Sequence, residues 1–233
     1  MAGRIRRVLV IAAHPDDADA RAGGTIAKLT RAGSVVTYCV VTNGDKGSSD
    51  PSMTPARLAG IRQEEQWNAA RVLGVEHVEF LGFPDCELED TRQTRMAVTA
   101  AIRRARPDLV ITQNPRRTKN LGASHRDHRI AAGLALDSVY PLARDPLAFP
   151  ELLAEGLEPH RVNEVHVMAG EQPDLVVDIS ETIALKIQAL ACHVSQMPDL
   201  AALDRSVRER DARLGEPAGY PYAEAFHRIV IGR

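Results

Sequence analysis

Cysteine is scarce in this 233-residue sequence, and what there is excludes two classes of site. Cys39, Cys86 and Cys192 are odd in number, far apart and without a CxxC pair, so neither a disulfide framework nor a thiolate zinc site is indicated. The expectation for all three is reduced, buried thiols with no chemistry of their own. Aromatic residues make up 4%, too little material for the stacking surfaces that bind single-stranded nucleic acids. Neither sign of charge dominates: 29 basic and 31 acidic side chains give a formal net charge of −2, which argues against nucleic acid or an anionic membrane as partner. Long apolar runs are missing as well. Behind the basic Arg4–Arg7 stretch, Val8–Ala13 spans only six residues before His14, too short for the core of a secretory signal. No segment approaches the ~20 apolar residues of a membrane span. With 44% hydrophobic and 26% charged residues, the chain is expected to be a soluble, cytoplasmic, globular protein with one domain over residues 1–233. Signatures of common chemistries are absent too: there is no GxGxxG after the first apolar run, no Walker A, no HExxH and no GxSxG.

What is present is an alternation of strand-like and helix-like segments. Val8–Ala13 is a continuous β-branched run, the pattern of a strand buried on both faces. Helical spacing follows over Gly23–Ala32, and Gly33 supplies a stop. Val35–Val41 reads as a second strand ending in the turn Thr42-Asn43-Gly44. Residues 55–73 read as an amphipathic helix with Leu58, Ile61, Trp67, Ala70 and Leu73 on its core side. Val75–Leu81, Thr91–Arg106 and Leu109–Thr112 continue as strand, helix and strand. This order predicts an α/β, Rossmann-like domain with a mainly parallel sheet and helices on both faces. The second half is less regular. A helix is expected over Asp127–Val139 and short strands over Val162–Met168 and Leu175–Ile179. Ser180 is expected to cap a helix over 181–195. A charged helix over 199–213 and an apolar end at Phe226–Ile231 complete the reading.

Ligands of doubly wound sheets bind beyond the carboxyl ends of the strands. Two expected strands end in unusual residues there: the first in His14-Pro15-Asp16-Asp17, the fourth in a polar loop leading to His125-Arg126-Asp127-His128. Either cluster alone could be a helix-capping device. Their joint placement, at strands that are neighbours across the switch point, points to a shared site. Catalytic zinc takes three imidazole or carboxylate ligands and keeps one position open. His14 and Asp17, three apart on a tight turn, can point at one ion, and His128 can supply a third ligand. Of the pair His125 and His128, one can bind metal while the other faces the reacting group. Asp16 is free to act as general base on an attacking water.

These residues resemble a known family. VLVIAAHPDDADARAGG at Val8–Gly24, with HRDH at 125–128, is similar to the PIG-L/LmbE-like zinc-dependent N-deacetylases. Supporting matches are Thr42-Asn43-Gly44, Arg62 and Glu65, Leu81-Gly82-Phe83-Pro84-Asp85 and His193-Val194-Ser195-Gln196. The resemblance implies one Zn2+ per chain on His14, Asp17 and His128, with Asp16 as base. It gives His125 the role of stabilising the oxyanion and Asp127 that of hydrogen-bonding a histidine. Arg62 and Asp85 match positions that hold sugar hydroxyls, and His193 one that lines the substrate site, sometimes across a subunit interface. The implied activity is removal of an N-acyl group, most often acetyl, from an N-acetylglucosamine-type sugar or conjugate, by an enzyme that can be a homo-oligomer. The alternatives are an amidase on a thiol conjugate or non-sugar N-acyl compound, and a non-catalytic sugar- or nucleotide-binding module. Three features depart from the family pattern: Asp19 where a glutamate is usual, Arg21 where a small residue is usual, and a basic loop with Arg116, Arg117 and Lys119.

Overall fold

The order of strands in the sheet decides where a ligand can bind. In the computed structural model, which describes residues 5–116, 124–168 and 173–232, seven strands form one sheet. They are β1 (Arg7–Ala12), β2 (Val35–Thr42), β3 (His77–Phe83), β4 (Leu109–Thr112), β5 (Glu164–Met168), β6 (Leu175–Asp178) and β7 (Ala223–Val230), in the order β3-β2-β1-β4-β5-β7-β6. Strands β1 to β5 pair in parallel, and β7 joins β5 and β6 by antiparallel pairing. The chain moves outward from β1 to β3, then returns to β4 on the other side of β1. The switch point therefore lies between β1 and β4, as the sequence pattern implied.

The α/β layering follows from the apolar runs. Leu9 and Ile11 of β1 face one core with α3 (Arg92–Ala105) and α4 (Arg126–Asp137), while Val8 and Val10 face another with α1 (Asp17–Arg31), α2 (Pro55–Val72) and α6 (Ile183–Ala191). Leu9, Val10 and Ile11 are wholly buried, and each such side chain contributes roughly 1.5–3 kcal/mol by leaving water. Short α5 (Pro150–Ala154) and α7 (Leu200–Gly215) are the remaining α-helices among the described residues. Thr54 caps α2, and Thr91 and Thr94 cap α3 reciprocally.

Several expectations are corrected. Helix α1 starts at Asp17, six residues before Gly23, so the glycine pair sits inside it. A Cβ on Gly24 would lie 2.7 Å from the Ile179 side chain. The glycine thus lets α1 close on the segment between β6 and α6. Ser180 does not cap α6: its hydroxyl bonds Asp178, and the shorter helix has Thr182 before it. Trp67 is only half-buried, against the edge of Phe80, because α2 turns Arg62, Glu65 and Gln66 inward instead. Lys186, fully buried, holds α6 to α7 and β7 through Asp211 (2.7 Å) and Glu224 (2.6 Å). Among the described residues no helix is long and apolar enough to cross a membrane.

Candidate metal centre

The end of β1 is fixed before any site residue begins. Ala13 donates its N–H to Gln113 Oε1 (2.9 Å) beyond β4, and its carbonyl accepts from Thr42 N and Oγ1 at the end of β2 (2.8 and 2.9 Å). The chain then turns sharply. Asp16 adopts φ 92° and ψ −29°, a left-handed conformation that costs a non-glycine residue about 1–3 kcal/mol. Two groups from α2 hold it there. Its N–H donates to Gln66 Oε1 (2.9 Å), and its Oδ2 accepts from Arg62 Nη2 (3.1 Å). Arg62 also donates to Pro15 O (2.7 Å) and Gly44 O (2.9 Å). Gly44 is required at that spot, since a Cβ would meet Arg62 Nη1 at 2.6 Å and φ is +63°.

The turn delivers His14 and Asp17 to one point, and α4 brings His128 to the same place. His14 Nδ1 lies 3.2 Å from His128 Nε2 and 3.2 Å from Asp17 Oδ2, and His128 Nε2 lies 3.1 Å from Asp17 Oδ1. A tetrahedral ion with bonds of about 2.0–2.1 Å separates its nitrogen and oxygen donors by about 3.3 Å. Each of the three separations is close to that value, with Asp17 offering Oδ2 towards His14 and Oδ1 towards His128. Two imidazole nitrogens facing each other beside a carboxylate also lack a bridging positive charge unless a proton or cation supplies it. The donor set fits a zinc-type ion.

Electrostatics carry the same message. Burial works against a charge on His14, but Asp127, Asp17 and Asp85 overcome it and push its pKa up to about 12. The same histidine and His128 hold Asp17 well below the usual carboxylate range despite its burial. Asp16 moves the other way: burial and the charge of Asp17 push it up to about 6, against the pull of Arg62. A carboxyl group near that value is suited to proton transfer around neutral pH.

The far side of the His14 ring is held by acids. Nε2 meets Asp85 Oδ1 at 3.0 Å and Asp127 Oδ2 at 3.6 Å, so both orient the ring. Asp127, fully buried, also accepts from Cys86 N (2.7 Å). His125 caps α4: its Nδ1 accepts from Asp127 N (3.2 Å), so the neutral ring carries its proton on Nε2. Burial and the nearby His14 charge lower the His125 pKa and keep it neutral. The ring stands edge-on to His14 at 4.7 Å, and donor atoms of His14, His125 and His128 lie within 4.8 Å of one another.

All nine residues singled out from the sequence gather around this turn, but three face inward. Arg62 is 4% exposed, Asp85 5% and His193 0%, and each bonds other groups of the protein, while Arg62 Nε and His193 Nδ1 are buried without a hydrogen-bond partner. In this structure they support the site residues, where the resemblance had implied contact with a substrate. His193 Nε2 bonds Asp19 Oδ2 (2.8 Å), which also accepts from Gln66 Nε2 (2.8 Å), while Asp19 Oδ1 accepts from Tyr38 OH (2.8 Å). Ser195 donates twice to Glu65, both at 2.7 Å, tying the 193–196 turn to α2. Sequence reasoning missed Gln66. Its signal is a polar residue four after Arg62 on the inward face of α2. Cys86 also departs from expectation, being exposed at the edge of the site. Arg116 is exposed, and Arg117 and Lys119 lie outside the described residues. A groove of about 510 Å³ lined by Arg7, Trp67, His77 and Arg104 sits at the opposite, amino ends of the strands, without this donor set.

Comparison with known proteins gives this chain its relatives. The family model for PIG-L, described as GlcNAc-PI de-N-acetylase, matches residues 9–139. The chain is 35% identical over 230 residues to diacetylchitobiose deacetylase of Thermococcus kodakarensis, covering 98% of this chain and 84% of the relative. The solved structure of N,N'-diacetylchitobiose deacetylase from Pyrococcus horikoshii superposes with a TM-score of 0.91 at 33% identity, covering 97% of this chain and 84% of that one. A more distant relative has a different reaction: the 4-oxalmesaconate hydratase of Pseudomonas putida is 26% identical over 96% of this chain and 89% of its own length.

Proposed function

The chain belongs to the PIG-L family, and from that premise we propose that it is a metal-dependent deacetylase. It hydrolyses the N-acetyl amide of an N-acetylglucosamine-type sugar or sugar conjugate. The observation that carries this reading is the division of labour at the turn. His14, Asp17 and His128 form the donor triangle, while Asp16 stands outside it, held by Arg62 and Gln66. A module that only binds sugar has no use for that strained aspartate.

His14, Asp17 and His128 would hold one Zn2+. When bound, zinc supplies Lewis-acid polarisation of the carbonyl and makes water more acidic. Asp16 takes the proton of the attacking water as its oxygen adds to the amide carbon. His125 donates its Nε2–H to the oxyanion as the carbonyl oxygen gains charge. The C–N bond then breaks as nitrogen receives the proton now on Asp16, giving a free amine and a carboxylic acid that loses its remaining proton to solvent. Asp16 serves as this acid because the neutral His125 ring would have to become an imidazolate to give up its proton. Arg62 keeps Asp16 in place, and Asp85 and Asp127 keep His14 oriented. The three unpaired cysteines support a cytoplasmic setting, and the family resemblance supports a single-domain homo-oligomer.

The test is amine release from a panel of N-acetylated amino sugars, chitooligosaccharides, thiol conjugates and glycolipids, before and after chelation and with zinc restored. Zinc-dependent release from the amino sugars supports the reading. Zinc-loaded protein that frees no amine from any member, yet hydrates an unsaturated dicarboxylate, would sink it.

A further inference from the structure

The exposed thiol of Cys86 does not fit the expectation of a buried, inert cysteine. Its Sγ lies 3.6 Å from His125 Nε2 and 3.5 Å from Asp85 Oδ1. The backbone sets that direction: Cys86 has φ +63°, and its N–H is fixed on Asp127 Oδ2 at 2.7 Å. A tetrahedral ion with bonds of about 2.3 Å to sulfur and about 2.05 Å to nitrogen or oxygen separates sulfur from either donor by about 3.6 Å. Both observed separations match that spacing. The other thiols have no such company. Cys39 is buried in the core, and Cys192 packs against that core and donates to the Gln188 carbonyl at 3.5 Å.

We propose that Cys86, His125 and Asp85 form a second site for a thiophilic divalent cation, such as excess zinc or cadmium, beside the donor triangle of His14, Asp17 and His128. Sulfur marks it as chemically distinct, because the triangle offers only nitrogen and oxygen. Binding forms a metal–sulfur bond and breaks the S–H bond, releasing one proton to solvent per ion. The His125 ring shifts its proton from Nε2 to Nδ1 and gives up the contact from Asp127 N. Asp85 shares Oδ1 between the ion and His14. These costs make the site weaker than the triangle, so it fills second. Occupancy stands independently of the deacetylase reading. Its consequence rests on that reading: an ion on Nε2 removes the donor facing the oxyanion, so the second equivalent inhibits.

The experiment titrates cadmium into protein already carrying one equivalent of zinc, with reductant removed. Ultraviolet thiolate-to-cadmium absorption, proton release in weak buffer and turnover are followed together. The wild type is expected to gain the absorption band with saturation at one further equivalent and one proton released. Cys86→Ser should lack the band, Cys192→Ser should keep it, and His125→Ala should weaken cadmium binding on the order of tenfold. A wild type without the band, or a band surviving Cys86→Ser, overturns the site. A band that saturates with no loss of turnover overturns the placement of the ion on His125. If no substrate is ever found, absorption and proton release still decide the site, so its failure is distinct from failure of the deacetylase reading.

Discussion

Replacing Gln66 by leucine removes one buried side-chain amide and two hydrogen bonds at once. Asp16 N–H loses its acceptor at 2.9 Å, and Asp19 loses one of three donors, keeping Tyr38 and His193. Gln66 is wholly buried, so water cannot readily replace either bond. An unsatisfied buried N–H costs about 1–3 kcal/mol, and a lost bond to a charged carboxylate about as much. The sum is a destabilisation of about 2–6 kcal/mol, which at this chain length lowers Tm by roughly 5–25 °C. The effect on rate is separate. The conformation of Asp16 at φ 92° needs restraint, and once relaxed its carboxylate drifts; displacement by about 1 Å costs on the order of 10²-fold. We expect kcat for amine release to fall roughly 10- to 10²-fold, with KM and metal content near wild type. Gln66→Glu keeps an acceptor for Asp16 but sets a second acid against Asp19, so it should retain more of kcat than Gln66→Leu while still losing stability. Steady-state kinetics, metal analysis and a thermal melt on the two variants suffice. A leucine variant with a lower Tm and full kcat would reduce Gln66 to a structural strut and refute its positioning of the base.

Three further expectations follow from the same geometry. His125→Ala should keep its metal and lose on the order of 10²-fold in kcat, as for a lost oxyanion donor; an unchanged kcat would remove His125 from the mechanism. Gly24→Ala should cost about 1–3 kcal/mol by overpacking against Ile179 at 2.7 Å, read as a lower denaturant midpoint at unchanged slope, and a midpoint at or above wild type would contradict the close approach. His160, whose pKa is lowered by burial, folds as the neutral ring with Nε2 on Pro107 O at 2.8 Å. Its contribution is complete above the unfolded value near 6.5 and is lost as pH falls from there toward the folded value. Wild-type Tm should therefore drop more between pH 7.5 and pH 5.5 than that of His160→Gln, and parallel curves would refute the assignment.

Much of the fold is readable from apolar runs, because a parallel sheet covered on both faces leaves them uninterrupted. The start of α1 is not. Its first turn carries Asp17 and Asp19, both buried, and apolar spacing alone places the helix at Gly23. The proposed metal ligands are legible because all three fall in two short clusters at strand ends. The orientations of Arg62, Asp85 and His193 are not. Matching a motif gives a residue's neighbourhood, whereas its direction depends on partners such as Asp19, which meets His193 across 174 positions of sequence. Cys86 was unremarkable in sequence for the same reason, since its relation to His125 depends on how β3 and α4 meet.

The central claim is that Asp16 performs the proton transfer while His14, Asp17 and His128 hold the ion. Metal content and turnover measured together on Asp16→Asn address it most directly. The variant should carry one equivalent of metal and lose about 10²- to 10⁴-fold in turnover. An Asp16→Asn protein that loses its metal, or keeps both metal and turnover, would contradict the account.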